Sequence, residues 1–140
     1  MTPDRDLITR KLALILGDLG TLEALARAPR DEFLRDRMAQ AVAERLLERV
    51  IGRMIDVNFH LITDRGLPPP SDYYASFVKL ADIGVLDRAF AERLAPSAGL
   101  RNRLVHEYDE IDPARIHDAL QHAASNVRTY AAAVEAQLDA

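Results

Sequence analysis

From Ile116 onward the apolar residues Ile116, Leu120, Ala123, Val127, Tyr130, Val134 and Leu138 return at steps of four, three, four, three, four and four. An α-helix, with about 3.6 residues per turn, brings such a series onto one face, whereas a strand scatters it over two. The same spacing runs through the rest of the chain, and no convincing strand pattern appears. Leu12, Ile15, Leu19, Leu22 and Ala26 mark the inner stripe of a first helix, with Thr2 as its N-cap, Pro3 in the first helical position and Asp4 and Asp6 at the positive end of the dipole. Pro29 ends that helix. A second, longer helix is predicted from about Asp31 to about Thr63, its inner side formed by Leu34, Met38, Val42, Leu47, Ile51, Met54, Asn58 and Leu61.

The run Asp64-Arg65-Gly66-Leu67-Pro68-Pro69-Pro70 is the clearest interruption, because three prolines cannot continue a helix. Ser71 is the expected N-cap of a third helix, Asp72 to about Asp82, that buries Phe77 and Leu80. Gly84 marks a turn, a fourth helix begins at Leu86, and Pro96 kinks or interrupts it before Ser97 to about Glu107 resumes. Asp112 and Pro113 form the cap and first position of the last helix. The expected fold class is therefore all-α, an up-and-down bundle of four to five helices in a single domain over residues 1–140.

Composition narrows the function only a little. The chain has no cysteine, which excludes disulfides and thiolate metal sites. Its net charge is −4, so no overall field draws it to nucleic acid. Sixteen of the 18 basic residues are arginine, a bias that codon composition explains more simply than phosphate binding does. No apolar run approaches the roughly 18 residues of a membrane span. The start, Met1-Thr2-Pro3-Asp4-Arg5-Asp6, carries acids where a signal peptide is basic, so a soluble, cytoplasmic protein is expected, with no membrane contact.

Most chemistry-bearing residues have a plain structural reading. No Gly-rich phosphate loop and no His-Glu-x-x-His zinc helix is present, and no cofactor is implied. His117 and His122 lie five apart, about 140° around a helix, a poor geometry for sharing a metal. His60 stands alone, Asp109, Glu110 and Asp112 read as a solvated turn with a helix cap, and Asn58 among apolar neighbours calls for a buried hydrogen-bond network.

The exception is Arg101-Asn102-Arg103-Leu104-Val105-His106-Glu107-Tyr108. With Arg101 set to zero on a helical wheel, Val105 falls at about 40°, Asn102 at about 100°, His106 at about 140° and Tyr108 at about −20°, if the helix continues that far. Leu100 and Leu104 fall on the opposite side and should face the core. A guanidinium, an amide, an imidazole and a phenol thus share one arc. Histidine titrates near neutral pH and can exchange a proton with a ribose 2′-hydroxyl or a leaving oxygen. Arginine stabilises charge developing on phosphoryl oxygens, and asparagine can orient either group. Val105, apolar within this polar arc, needs a cover, which a second copy of the chain would supply. The same residues also fit a non-catalytic nucleotide-binding or adaptor module, or a helical oligomer with no chemistry of its own.

At these residues the sequence resembles the HepT-type toxins of the HEPN superfamily. The likeness rests on Arg101-x4-His106-x-Tyr108, preceded by Ala98-Gly99-Leu100 and followed by Asp109 and Ile111-Asp112. It extends to Ile55-Asp56-Val57-Asn58, to Pro70-Ser71-Asp72-Tyr73 and to Phe77, Leu80 and Gly84-Val85-Leu86, covering about residues 5 to 138. The resemblance implies an all-α homodimer in which two Arg-x4-His motifs share a cleft, and a metal-independent endoribonuclease that uses the 2′-hydroxyl of RNA as nucleophile. It also implies an MntA-like nucleotidyltransferase antitoxin as partner, in a type VII-like toxin–antitoxin pair. By position Arg101, Asn102 and His106 would be catalytic, and Tyr108 would be the tyrosine that the antitoxin blocks by transferring AMP. From Leu86 to Tyr108 there are four arginines against three acids, so RNA binding would depend on a dimer cleft focusing a modest field.

Overall fold

A computed structural model describes residues 4–139; the expected cap at Thr2 and Pro3 lies outside the described residues, as does the side chain of Tyr108. Among the described residues the chain forms α1 (Arg5–Arg27), α2 (Arg30–Arg35), α3 (Arg37–Thr63), α4 (Tyr73–Asp82), α5 (Arg88–Leu94), α6 (Ser97–His106) and α7 (Pro113–Asp139), with a 3₁₀ turn over Tyr108–Glu110. The fold is all-α. The long helices α1, α3 and α7 pack on one another, α4 and α6 lie against α3, and α5 packs on α4. The predicted stripes of α1 and α7 are the buried ones: Leu12, Ile15, Leu19 and Leu22 face Ile116, Leu120, Val127, Tyr130, Val134 and Leu138 within one core. No helix among the described residues is long and apolar enough to cross a membrane.

Three local expectations change. Asp4 caps α1, its carboxylate accepting from the Leu7 N–H at 3.1 Å. At the third predicted helix Asp72, not Ser71, is the cap, accepting from the Ala75 N–H at 2.7 Å. Most consequential, the second predicted helix is two. Asp36 leaves the helical region (φ −107°, ψ 93°) and caps α3 by accepting from the Ala39 N–H at 3.0 Å. The expected inner residues Leu34, Met38 and Val42 are 39%, 76% and 36% exposed, and Phe33 and Ala43 occupy the core instead. The cause is a phase slip: Val42 to Leu47 is five residues, about 500° of rotation, which sets Val42 about 140° away from the face that Leu47, Ile51, Met54, Asn58 and Leu61 bury. The short α2 turns Phe33 inward against the buried His117 ring, with centroids 5.3 Å apart.

Elsewhere the breaks follow their residues. Gly84 (φ 81°) closes α4 in a Schellman turn, the Val85 N–H donating to the Leu80 carbonyl at 2.8 Å and the Gly84 N–H to that of Ala81 at 3.1 Å. Pro96 separates α5 from α6, and Asp112 caps α7 through the Ala114 N–H at 2.9 Å. Asn58 has the partners its burial demands. Its amide donates to Ser76 Oγ at 3.0 Å, and its carbonyl accepts from the Tyr130 hydroxyl.

Candidate active site

Helix α6 is fixed from beneath. Ala98 and Leu104 are buried and Leu100 packs against the core, so the side expected to face inward does so. Its outer arc presents Asn102 and His106, both exposed and one turn apart. Arg101 is half-buried and turned toward α4, where its Cζ lies 5.4 Å from the centroid of the Tyr73 ring. Its Nε is fully buried and has no hydrogen-bond partner among the described residues. Tyr73, the first residue of α4, is held by the Asp72 cap below it and by an edge contact with Phe59 of α3, centroids 6.1 Å apart at 82°. Tyr73 is the contact that sequence reasoning did not find, since nothing in local spacing joins it to Arg101.

The helix ends at His106. Glu107 has φ −133° and ψ 30°, and the backbone re-forms as the 3₁₀ turn over Tyr108–Glu110. The wheel position given to Tyr108 by continuing the helix therefore does not apply. Arg103 is engaged with Glu107 at 3.5 Å, which leaves Arg101 as the guanidinium of the motif that no carboxylate neutralises among the described residues. Arg101 and His106 are about 140° around and about 7.5 Å along the same helix. One copy of α6 therefore presents them to different directions.

Beside the motif lies a depression of about 320 Å³ lined by Val105 and Leu104 of α6 and by Ala41, Glu44, Arg45 and Glu48 of α3. Burial pushes the Glu44 carboxyl above its usual range. The exposed Met38 and Val42 lie on the same broad face of α3, within about 100° of Ala41. Val105, half-buried, lines this depression together with the charged Glu44, Arg45 and Glu48.

His117 is buried, its Nε2 3.2 Å from the Ala28 carbonyl oxygen, and Asp109 and Glu110 are exposed. Among the described residues no group of three or more His, Asp or Glu side chains is placed to hold a metal ion. What the α6 arc can do is bind and act on an anion. A guanidinium with one face covered keeps its edge for a phosphate, and an exposed imidazole can take or give a proton.

The chain has relatives among known nucleases. A tRNA nuclease HepT from Aphanizomenon flos-aquae is 32% identical over 132 residues, 94% of this chain and 90% of that protein. An mRNA nuclease HepT from Shewanella oneidensis is 24% identical over 94% of this chain and 98% of its own length. The solved structure of a tri-AMPylated Shewanella oneidensis HEPN toxin in complex with MNT antitoxin superposes with a TM-score of 0.84 at 24% identity, covering 94% of this chain and 98% of that one, and so shares the fold. The family described as ribonuclease HepT-like matches residues 15–134, which takes in every helix from α2 to α6 and most of α1 and α7. This chain belongs to the HepT-like ribonuclease family.

Proposed function

We propose that the chain is a toxin endoribonuclease that works as a homodimer, cutting RNA without a metal through Arg101, Asn102 and His106. The observation that carries this reading is the Arg101 guanidinium, which lies over the Tyr73 ring and is paired with no carboxylate among the described residues, on the same helix as the exposed His106. The imidazole of His106 removes the proton of a ribose 2′-hydroxyl, whose oxygen attacks the adjacent phosphorus as the bond to the 5′-oxygen breaks. The imidazolium so formed returns its proton to that oxygen as it leaves, giving a 2′,3′-cyclic phosphate and a 5′-hydroxyl end. Arg101 holds the charge that builds on the non-bridging oxygens, and Asn102, one turn from His106, orients phosphate or imidazole.

Dimerisation supplies what one copy lacks. Two α6 helices across a twofold axis bring an Arg101 and a His106 from different chains to one phosphate, and the apolar face of Met38, Val42 and Val105 would be covered in the same contact. The solved structure of the Shewanella oneidensis HEPN toxin holds it tri-AMPylated and in complex with an MNT antitoxin. By that likeness this chain pairs with a nucleotidyltransferase antitoxin that transfers AMP to Tyr108. Its site of action is the cytoplasm, where RNA and ATP are found together.

The decisive experiment is digestion of RNA by the purified protein in EDTA, with His106→Ala alongside and growth followed on expression without the partner. The native protein is expected to cut and to arrest growth, leaving cyclic phosphate ends, and His106→Ala to do neither. Undiminished cleavage by His106→Ala removes that residue from the mechanism. Intact RNA beside retained partner binding marks an adaptor instead.

A further inference from the structure

We propose that Tyr73 is the positioning residue of the site, its ring face fixing the Arg101 guanidinium in the orientation that meets a scissile phosphate. The inference rests on the catalytic role proposed for Arg101. Arginine's long side chain carries large rotamer freedom, and a guanidinium that must meet a transition state gains from being oriented beforehand. Asparagine or carboxylate partners are the usual means, but Arg101 Nε is buried without any hydrogen-bond partner, and no ion pair engages the group among the described residues. The contact that remains is the Tyr73 ring, 5.4 Å from Cζ. A stacked ring orients without neutralising, because it attracts the cation through its quadrupole and leaves the N–H edge to an anion. A carboxylate in the same place would compete with phosphate.

The ring is itself immobilised from two sides. Tyr73 begins α4, where the Asp72 carboxylate accepts from the Ala75 N–H at 2.7 Å, and Phe59 of α3 meets the ring edge-on at 6.1 Å. Residues of three helices, α3, α4 and α6, are therefore joined through this one ring. The ring is 39% exposed, which makes its stacking energy modest, and Arg101 is itself half-buried beside it.

The test compares Tyr73→Phe, which keeps the aromatic face, with Tyr73→Leu, which keeps apolar bulk and loses it. Tyr73→Phe should cleave RNA within about twofold of the native protein. Tyr73→Leu should lose roughly tenfold in kcat with little change in KM, the size expected for one cation–π contact. In an Arg101→Ala background Tyr73→Leu should add no further loss. Independently of cleavage, the Arg101 Hε resonance should be shifted upfield by the ring in the native protein and in Tyr73→Phe, and return toward its free position in Tyr73→Leu. A Tyr73→Leu enzyme of native kcat, a loss that persists undiminished without Arg101, or an Hε shift that survives Tyr73→Leu overturns the inference. Full cleavage by Arg101→Ala alone instead overturns the catalytic role of Arg101, and the resonance shift then still reports whether the stack exists.

Discussion

The Tyr130 hydroxyl of α7 donates to the Asn58 carbonyl oxygen of α3, deep in the core, where both side chains are fully buried. The same phenol oxygen lies 3.0 Å from the Met54 carbonyl, and Asn58 passes the chain of bonds on to Ser76, whose Oγ donates to the Tyr73 carbonyl at 2.7 Å. Burial pushes the phenol's pKa well above its ordinary value, so it remains a donor at any physiological pH. The network links α7, α3 and the first turn of α4, the turn that carries the ring under Arg101.

Removing the phenol oxygen leaves the Asn58 carbonyl oxygen buried without its donor. Tyr130→Phe should therefore cost about 1–3 kcal/mol, read as a lower urea midpoint at unchanged m-value. A midpoint equal to that of the native protein means that the Asn58 oxygen finds another donor.

The apolar face of α3 should behave as an interface between copies. Met38, at 76% exposure, bears no visible load within one chain. Met38→Glu should leave helix content intact and shift the sedimentation profile from dimer toward monomer, with RNA cleavage falling in proportion. A variant that sediments as a native dimer moves the interface elsewhere.

Two opposite pH effects are expected. The Arg30 guanidinium, 2.6 Å from Asp118, holds that carboxyl below its usual range, and Arg88 does the same for Asp82. A carboxyl depressed in the folded state contributes stability above its unfolded pKa of about 3.9 and loses it as pH falls toward the folded value. Thermal melts should therefore drop below about pH 4, and Arg30→Met should flatten that slope. Glu44 has the other sign: its pKa is raised by burial, so its charged form is a burden at neutral pH. Glu44→Gln should raise the melting temperature by on the order of 1 °C at pH 7, the gain shrinking as pH falls through the raised native pKa and gone by about pH 4, where the carboxyl is protonated folded and unfolded alike. A native-like slope in Arg30→Met, or no gain in Glu44→Gln, contradicts these assignments.

Co-expression with the nucleotidyltransferase partner and ATP should add AMP mass to Tyr108. Tyr73 and Tyr74, at 39% and 50% exposure, are the accessible rivals, whereas the buried Tyr130 is closed to any enzyme in the folded protein. Peptide mass spectrometry decides among them, and label confined to Tyr73 or Tyr74 rejects Tyr108.

Most of the fold was readable because helix stripes are local. Ile116 to Leu138 and Leu12 to Leu22 each keep phase along their length, so spacing alone assigns their buried faces. The reading failed at Leu34, Met38 and Val42, which keep perfect steps of four yet belong to a series out of phase with Leu47. Asp36 is a capping residue in an otherwise helical run, and its local preference alone does not decide between cap and interior. At the site, the helix that carries Arg101, Asn102 and His106 was legible for the same local reason. The stack on Tyr73 was not, because it joins residues 28 positions apart and depends on how α4 docks.

That α6 stops at His106 would divide the two proposed tasks, cutting and silencing, between two pieces of backbone. Guanidinium and imidazole ride on a helix riveted to the core, whereas Tyr108 belongs to a separate short turn beyond the Glu107 bend. A foreign enzyme could thus engage the phenol-bearing segment, and later release it, while the cutting apparatus keeps its shape. Silencing of this kind would be a matter of obstruction, reversible without refolding.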